Sequence, residues 1–313
     1  MENDDLPYIS VIITAYNRKE FLLNAIKSVL NQTLEKKYYE IIVIKNFIDK
    51  NIDDLINENL IKNILMEGTL GEFLYRGISE ASGEIISFLD DDDLFFKNKL
   101  DFVYKQFKKD NNIVYYHNLC VPINGRGKTV SIHRMNSSLD FNMSSISIQK
   151  SIIKINKEVK MNISASPDTL MYLYALESNK KIIKGDEKLT YYMLHNSTSN
   201  IVPKNFEEYK KFIITTSNLY LDNFRLFKNL IYSKKAINYL NSRTTNTQIY
   251  KYIFELNEFP SKLINYIINS TESIKFRVVS FLACILIKVY PRFSKYFGKK
   301  MWDIYNKQAG KVI

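Results

Sequence analysis

Four consecutive aspartates, Asp90 to Asp93, close an apolar run from Glu84 to Leu89 that reads as a buried strand. Like charges this close repel one another unless water, a cation or basic groups offset them. Hard carboxylate oxygens suit Mg²⁺ or Mn²⁺, ions that commonly bridge a carboxylate and a diphosphate. A strand tip is a rigid place for such chemistry, because ligands of open α/β sheets bind outside the carboxyl ends of the strands. The same four residues in isolation would also suit a solvated acidic turn. The upstream pattern is what favours the first reading.

The run from Tyr8 to Asn17 is β-rich and apolar. Asn17 is placed to cap the following helix, with Glu20 three residues on as the partner in a capping box. Phe21, Leu22, Ala25, Ile26, Val29 and Leu30 then recur at helical spacing. A second strand over 39–44 completes a βαβ unit. The pattern predicts an α/β sheet whose first strand lies near the N-terminus.

Val11 to Arg18, Ile26 to Thr33, Tyr39 to Val43 and Ala81 to Asp93 occur in the order and spacing of family 2 glycosyltransferases of the GT-A fold, which the chain resembles over most of residues 7–108 and patchily to about 200. The resemblance implies a Rossmann-like mixed sheet flanked by helices. It also implies a nucleotide-diphosphate sugar, UDP- or GDP-linked, over the strand tips and a divalent metal, Mn²⁺ or Mg²⁺, held by a DxD-type motif. By that resemblance Asp92 is the direct metal ligand and Asp90 a second one. Asp90 and Asp91 lie by the ribose or complete the metal's water shell, and Asp93 is free to face solvent. Thr14, Tyr16, Asn17, Arg18 and Asn46 are donor-binding positions, and His195 closes the site near the metal or diphosphate.

Asp168, at the start of a helix predicted after Ala165, aligns with the family's general base, with Pro167 in place of the acid that usually precedes it. An acceptor hydroxyl is a poor nucleophile until its proton is taken, so an inverting transferase needs such a base. Asp168 also suits an ordinary first helical turn. Two further departures stand out. Lys45, Asn46 and Phe47 replace the family's acidic contact to the nucleobase, although the Asn46 amide can both donate and accept. Leu74 and Tyr75 stand where an Arg-Asn pair is usual, and Arg76 points elsewhere on its helix.

The chain has 313 residues, 46% of them hydrophobic, and a net charge of +11. From Ile201 onward it carries 19 Lys and Arg against 7 Asp and Glu, a balance of +12 that leaves −1 for residues 1–200. We therefore expect a catalytic domain over 1–200 and a basic, aromatic-rich helical extension over 201–313, joined by a loop over 196–203. Cys120 and Cys284 are too few for a disulfide framework or a cysteine-based zinc site. The acidic N-terminus has no signal-peptide pattern, which predicts a cytoplasmic location. Val278 to Ile287 is an apolar run about half the ~20 residues needed to span a bilayer. It reads as a core helix or, with the cations and aromatics around it over 273–302, as a peripheral contact with the cytoplasmic face of an anionic membrane.

The expected function is inverting, metal-dependent sugar transfer to a glycan or polyprenyl-linked acceptor. The alternative is a non-catalytic relative that binds a nucleotide sugar or acts as a scaffold. A nucleic-acid partner is not expected, because no groove-reading or RNP-like motif accompanies the basic charge.

Overall fold

The structure is a computed structural model, and it describes residues 7–124, 127–129, 138–154, 156–194, 203–270 and 272–309. The chain divides into two compact units, residues 1–194 and 195–313.

The first unit is an alternation of apolar strands and amphipathic helices. In chain order it contains β1 (Ile9–Ala15), α1 (Leu22–Leu30), β2 (Tyr39–Lys45), α2 (Lys50–Glu58), β3 (Lys62–Leu65), α3 (Leu70–Glu80), β4 (Ile85–Asp90), β5 (Leu94–Phe95) and α4 (Lys99–Lys109). The long β6 (Ile113–Asn124) follows, then β7 (Ile146–Gln149), α5 (Lys157–Asn162), α6 (Pro167–Glu177) and β8 (Lys181–Leu194). The strands form one sheet in the order β3-β2-β1-β4-β7-β6-β8-β5. The first four are parallel, β7 runs antiparallel to both β4 and β6, and β8 runs parallel to β6. The sheet is therefore mixed and helix-flanked, as expected.

Alternate residues of β1 and β4 face opposite layers. Ile9, Val11, Ile13, Ile85 and Leu89 join α1, α2 and α4 in one core. On the other face α3 lies so close to the sheet that a Cβ on Gly77 would stand 2.5 Å from Ile12 Cγ2 and 2.9 Å from Ile44 Cδ1. Parallel pairing puts Ala15 beside Lys45 and Thr14 beside Asp90, so the carboxyl ends of β1, β2 and β4 share one edge.

Asn17 does not cap α1. The helix begins after Phe21 without a side-chain cap. Asn17 adopts a left-handed turn at φ 56°, a conformation asparagine tolerates better than most residues. Its N–H donates to Asn46 Oδ1 at 2.9 Å, and its own Oδ1 accepts from Asn46 Nδ2 at 2.8 Å. The turn is thus fixed by a partner on the neighbouring strand tip, which local spacing does not reveal.

The second unit is helical: α7 (Phe206–Lys228), α8 (Lys234–Glu255), α9 (Leu263–Asn269), α10 (Ile274–Val289) and α11 (Phe293–Ala309). Asn205, Ser233 and Ser273 cap α7, α8 and α10 through their side chains. Tyr209, Tyr252, Phe254, Tyr266 and Ile287 lie in its core. The core-helix expectation for α10 holds for one face alone. It buries Ser280, Ala283, Cys284 and Ile287, whereas Val278, Val279, Leu282, Ile285, Leu286 and Val289 are exposed. Among the described residues no helix is long and apolar enough to cross a membrane. Cys120 and Cys284 are both buried, and neither forms a disulfide among the described residues.

Candidate active site

The strand β4 ends at Asp90, and the turn after it sends four carboxylates into different surroundings. Asp91 is buried and gripped by Arg18, which donates to its Oδ2 through Nε at 3.2 Å and to its Oδ1 through a terminal nitrogen. The other terminal nitrogen of Arg18 donates to Asp92 Oδ2 at 2.7 Å. Arg18, expected among the donor contacts, is thus engaged by the acidic cluster itself. Asp93 is also buried, contrary to the expectation that it faces solvent, because β8 lies over it: Met193 N–H donates to its Oδ1 at 2.8 Å. The other oxygen, Oδ2, is buried and has no hydrogen-bond partner within bonding geometry among the described residues.

One carboxylate oxygen each from Asp90, Asp92 and Asp93 lie within 4.8 Å of one another. Three hard oxygens converging around an orphaned buried acceptor fit a divalent cation such as Mg²⁺ or Mn²⁺. The electrostatics point the same way. Burial, reinforced by Asp93, Asp92 and Asp91, holds the Asp90 carboxyl well above the usual range. Burial and the charge of Asp92 push Asp93 up to about 8. A cation bound among them would oppose both shifts and favour the ionised carboxylates.

A second layer of polar residues, absent from the sequence expectations, supports the cluster. Lys99 is fully buried and donates to the Ser144 carbonyl and, at 3.1 Å, to Thr190 Oγ1. Its ammonium lies 3.9 Å from the centre of the Phe95 ring. Burial holds the Lys99 amine well below its ordinary value, against the opposing pull of Asp93. Nothing in the order of residues around Lys99 separates it from a solvated basic turn; its polar partners, Ser144 and Thr190, lie far along the chain.

Asp168 sits in the first turn of α6, behind Pro167 at the helix start. Its Oδ2 accepts the Asn142 N–H at 3.2 Å. The Asn142 side chain accepts from Ser144 N–H at 2.9 Å, and Ser144 Oγ accepts from the backbone N–H of Asp90 at 2.9 Å. Three hydrogen bonds therefore connect Asp168 to the end of β4. Pro167 and Asp90 also line one small cavity with Thr14, Leu70, Leu74 and Met143. Two departures from the family pattern, Leu74 and Pro167, thus meet at the same place.

Beside this cleft Tyr16 is exposed, its ring edge-on to Phe73 at 5.8 Å. Lys45 turns inward, buried, to pair with Asp53 at 2.8 Å and donate to the Phe47 carbonyl at 2.6 Å. Asn46 stays at the surface, where its Nδ2 reaches Glu67 at 3.4 Å, a carboxylate from the loop after β3 that the sequence did not single out. Leu74 is buried, and Arg76 points outward to Glu80 at 3.0 Å. His195 lies outside the described residues.

Residues 10–163 match the model for Glycosyl transferase family 2, and that part of the chain belongs to the family. It is 39% identical over 132 residues to an uncharacterized glycosyltransferase of Rickettsia conorii, covering 40% of this chain and 21% of that one. To a poly(ribitol-phosphate) beta-glucosyltransferase of Bacillus spizizenii it is 29% identical over 224 residues, 63% of this chain and 35% of the relative. The chain spans about a fifth of the length of the first curated relatives it matches. Among solved structures, residues 1–349 of S. aureus TarS in complex with UDP-GlcNAc align with a TM-score of 0.53 at 14% identity, covering 91% of this chain and 82% of that one. A mannosyltransferase from Pyrobaculum calidifontis in complex with GDP-Man and Mn²⁺ aligns with a TM-score of 0.53 at 10% identity, covering 96% and 88%. The fold is that of GT-A glycosyltransferases.

Proposed function

We propose that this chain is an inverting, metal-dependent glycosyltransferase, moving a sugar from a nucleotide-diphosphate donor to a glycan or polyprenyl-linked acceptor. The observation that carries this reading is the convergence of Asp90, Asp92 and Asp93 at the tip of β4, joined by hydrogen bonds to Asp168. Those three carboxylates would hold Mn²⁺ or Mg²⁺. When bound, the ion offsets negative charge growing on the departing diphosphate. The complexes of the neighbouring structures with UDP-GlcNAc, and with GDP-Man and Mn²⁺, support a nucleotide-sugar donor and a divalent ion.

Asp168 is the general base. Its carboxylate, oriented by the Asn142 N–H, accepts the proton of the acceptor hydroxyl as that oxygen bonds to the anomeric carbon. Tyr16 offers an exposed aromatic face to the nucleobase. Asn17 and Asn46 present amides beside it, and Thr14 lies at the rim near Asp90. Arg18 divides its guanidinium between Asp91 and Asp92, and a diphosphate entering with the metal competes for it. Asp91 is thereby assigned to holding Arg18 near the donor phosphates, and His195 keeps the role implied by resemblance.

The C-terminal unit is assigned a peripheral contact with an anionic membrane on its cytoplasmic side. The exposed apolar face of α10, with Ile264 and Ile268 on α9 exposed as well, supports this. Lys275, Arg277 and Lys288 lie among or beside these residues.

A panel of UDP- and GDP-sugars, each assayed with and without Mn²⁺ for thermal stabilisation and for acceptor-dependent release of nucleoside diphosphate, tests the proposal. At least one donor should stabilise the protein only with metal and turn over. No metal-dependent stabilisation by any donor would overturn it.

A further inference from the structure

A cavity of about 380 Å³ lies in the C-terminal unit between α7 and α8, and no carboxylate among the described residues lines it. Its deep wall is apolar: Leu221, Phe224, Ile231 and Leu240 are all buried. Its rim carries Arg225, Lys228 and Lys262. Asp222 pairs with Arg225 at 2.7 Å and offsets that charge. Lys262 donates to Asn241 Oδ1 at 2.9 Å, a neutral partner. Lys228 makes no ion pair among the described residues. Two uncompensated positive charges thus stand over an aliphatic and aromatic floor.

That arrangement defines its ligand by charge and by shape. A phosphomonoester carries about −1.5 to −2 at pH 7, matching two lysines. Lysine binds phosphate as a point charge and needs no fixed fork geometry. The volume stands near the lower end of the roughly 300–1,000 Å³ typical of ligand pockets, room for one chain and not two. Lys262 also stands one residue before α9, whose Ile264 and Ile268 are exposed, so the cationic rim adjoins apolar surface.

We propose that this groove binds a single-chain lipid phosphomonoester, with its head between Lys228 and Lys262 and its first carbons against Phe224 and Leu240. Binding in this groove does not depend on the transfer chemistry.

Calorimetric titration of the full chain with inorganic phosphate and with butyl, hexyl and octyl phosphate below their micelle concentrations tests the proposal. Affinity should rise by about fourfold per methylene until the groove is filled, with inorganic phosphate and octanol both binding weakly. Lys228→Glu with Lys262→Glu, at exposed positions, should weaken octyl phosphate at least about tenfold without lowering the unfolding temperature. Ile237, exposed, also lines the cavity, and Ile237→Gln should flatten the chain-length dependence. Equal binding of inorganic and octyl phosphate, or unchanged affinity in the double variant, would overturn the assignment. Dihexanoyl phosphatidic acid binding as tightly as octyl phosphate would refute its single-chain part.

Discussion

Asp90 to Asp93 are identical in type and adjacent in sequence, yet their surroundings differ. Asp91 holds Arg18, Asp92 shares it, and Asp93 is covered by β8. With the folded Asp93 pushed up to about 8, its contribution to stability is present below the unfolded value near 4 and is lost as pH rises towards 8. The metal-free protein should therefore melt at lower temperature at pH 8 than at pH 5, and added Mn²⁺ should raise the melting temperature more at the higher pH. A Mn²⁺ effect independent of pH would count against these carboxylates as ligands. His117 acts in the opposite direction. Burial lowers it to about 4, with Nδ1 unpartnered among the described residues and Nε2 against the Phe141 carbonyl at 2.6 Å. It should cost about 3 kcal/mol of stability between pH 6.5 and pH 4, measurable by urea unfolding and absent in a His117→Gln variant. For Asp168, replacement by Asn should lower turnover roughly 10²–10⁴-fold while donor affinity holds. Normal turnover with a loss of ~1 kcal/mol would leave it a first-turn helix residue.

At the scale of elements, periodicity was enough to place β1, α1, β2 and β4, because their apolar spacing is set by which face they bury. What spacing could not reveal is every contact made by residues distant in the chain. The Asn17 turn depends on Asn46, twenty-nine residues on. The inward course of Lys45 depends on Asp53, and the burial of Lys99 on Thr190, ninety-one residues away. The site was legible as an acidic strand tip with a distant aspartate. The second layer of Asn142, Ser144 and Lys99 was not, since such residues occur equally in solvated turns. The close approach of α3 to the sheet gives a further prediction: Gly77→Ala should destabilise the first unit by about 1–3 kcal/mol, since its Cβ meets Ile12 inside contact distance. Unchanged urea unfolding would mean that α3 can move outward freely.

Across the whole molecule, the charge is −1 before Ile201 and +12 from it onward, a balance that suits the C-terminal unit to the anionic surface proposed for it. If its α9–α10 face meets a membrane, binding to anionic vesicles should have a salt-sensitive part from the cations and a salt-resistant part from apolar side chains. Val278→Ser, Leu282→Ser and Leu286→Ser together remove exposed surface and leave the buried side of α10 intact. The triple variant should fold, stay active on soluble acceptor analogues and lose the salt-resistant part. Retained vesicle binding at high salt would exclude this face.

The central claim is that the Asp cluster and a nucleoside diphosphate bind one divalent ion between them. Calorimetric titration of UDP and of GDP into the protein and its Asp92→Asn variant, each with and without Mn²⁺, tests it most directly. For one of the two nucleotides, the account predicts tight binding that requires Mn²⁺ in the unaltered protein and is lost in the variant, with the fold preserved. Nucleotide affinity that is the same with and without Mn²⁺, or that is unchanged in Asp92→Asn, would contradict it.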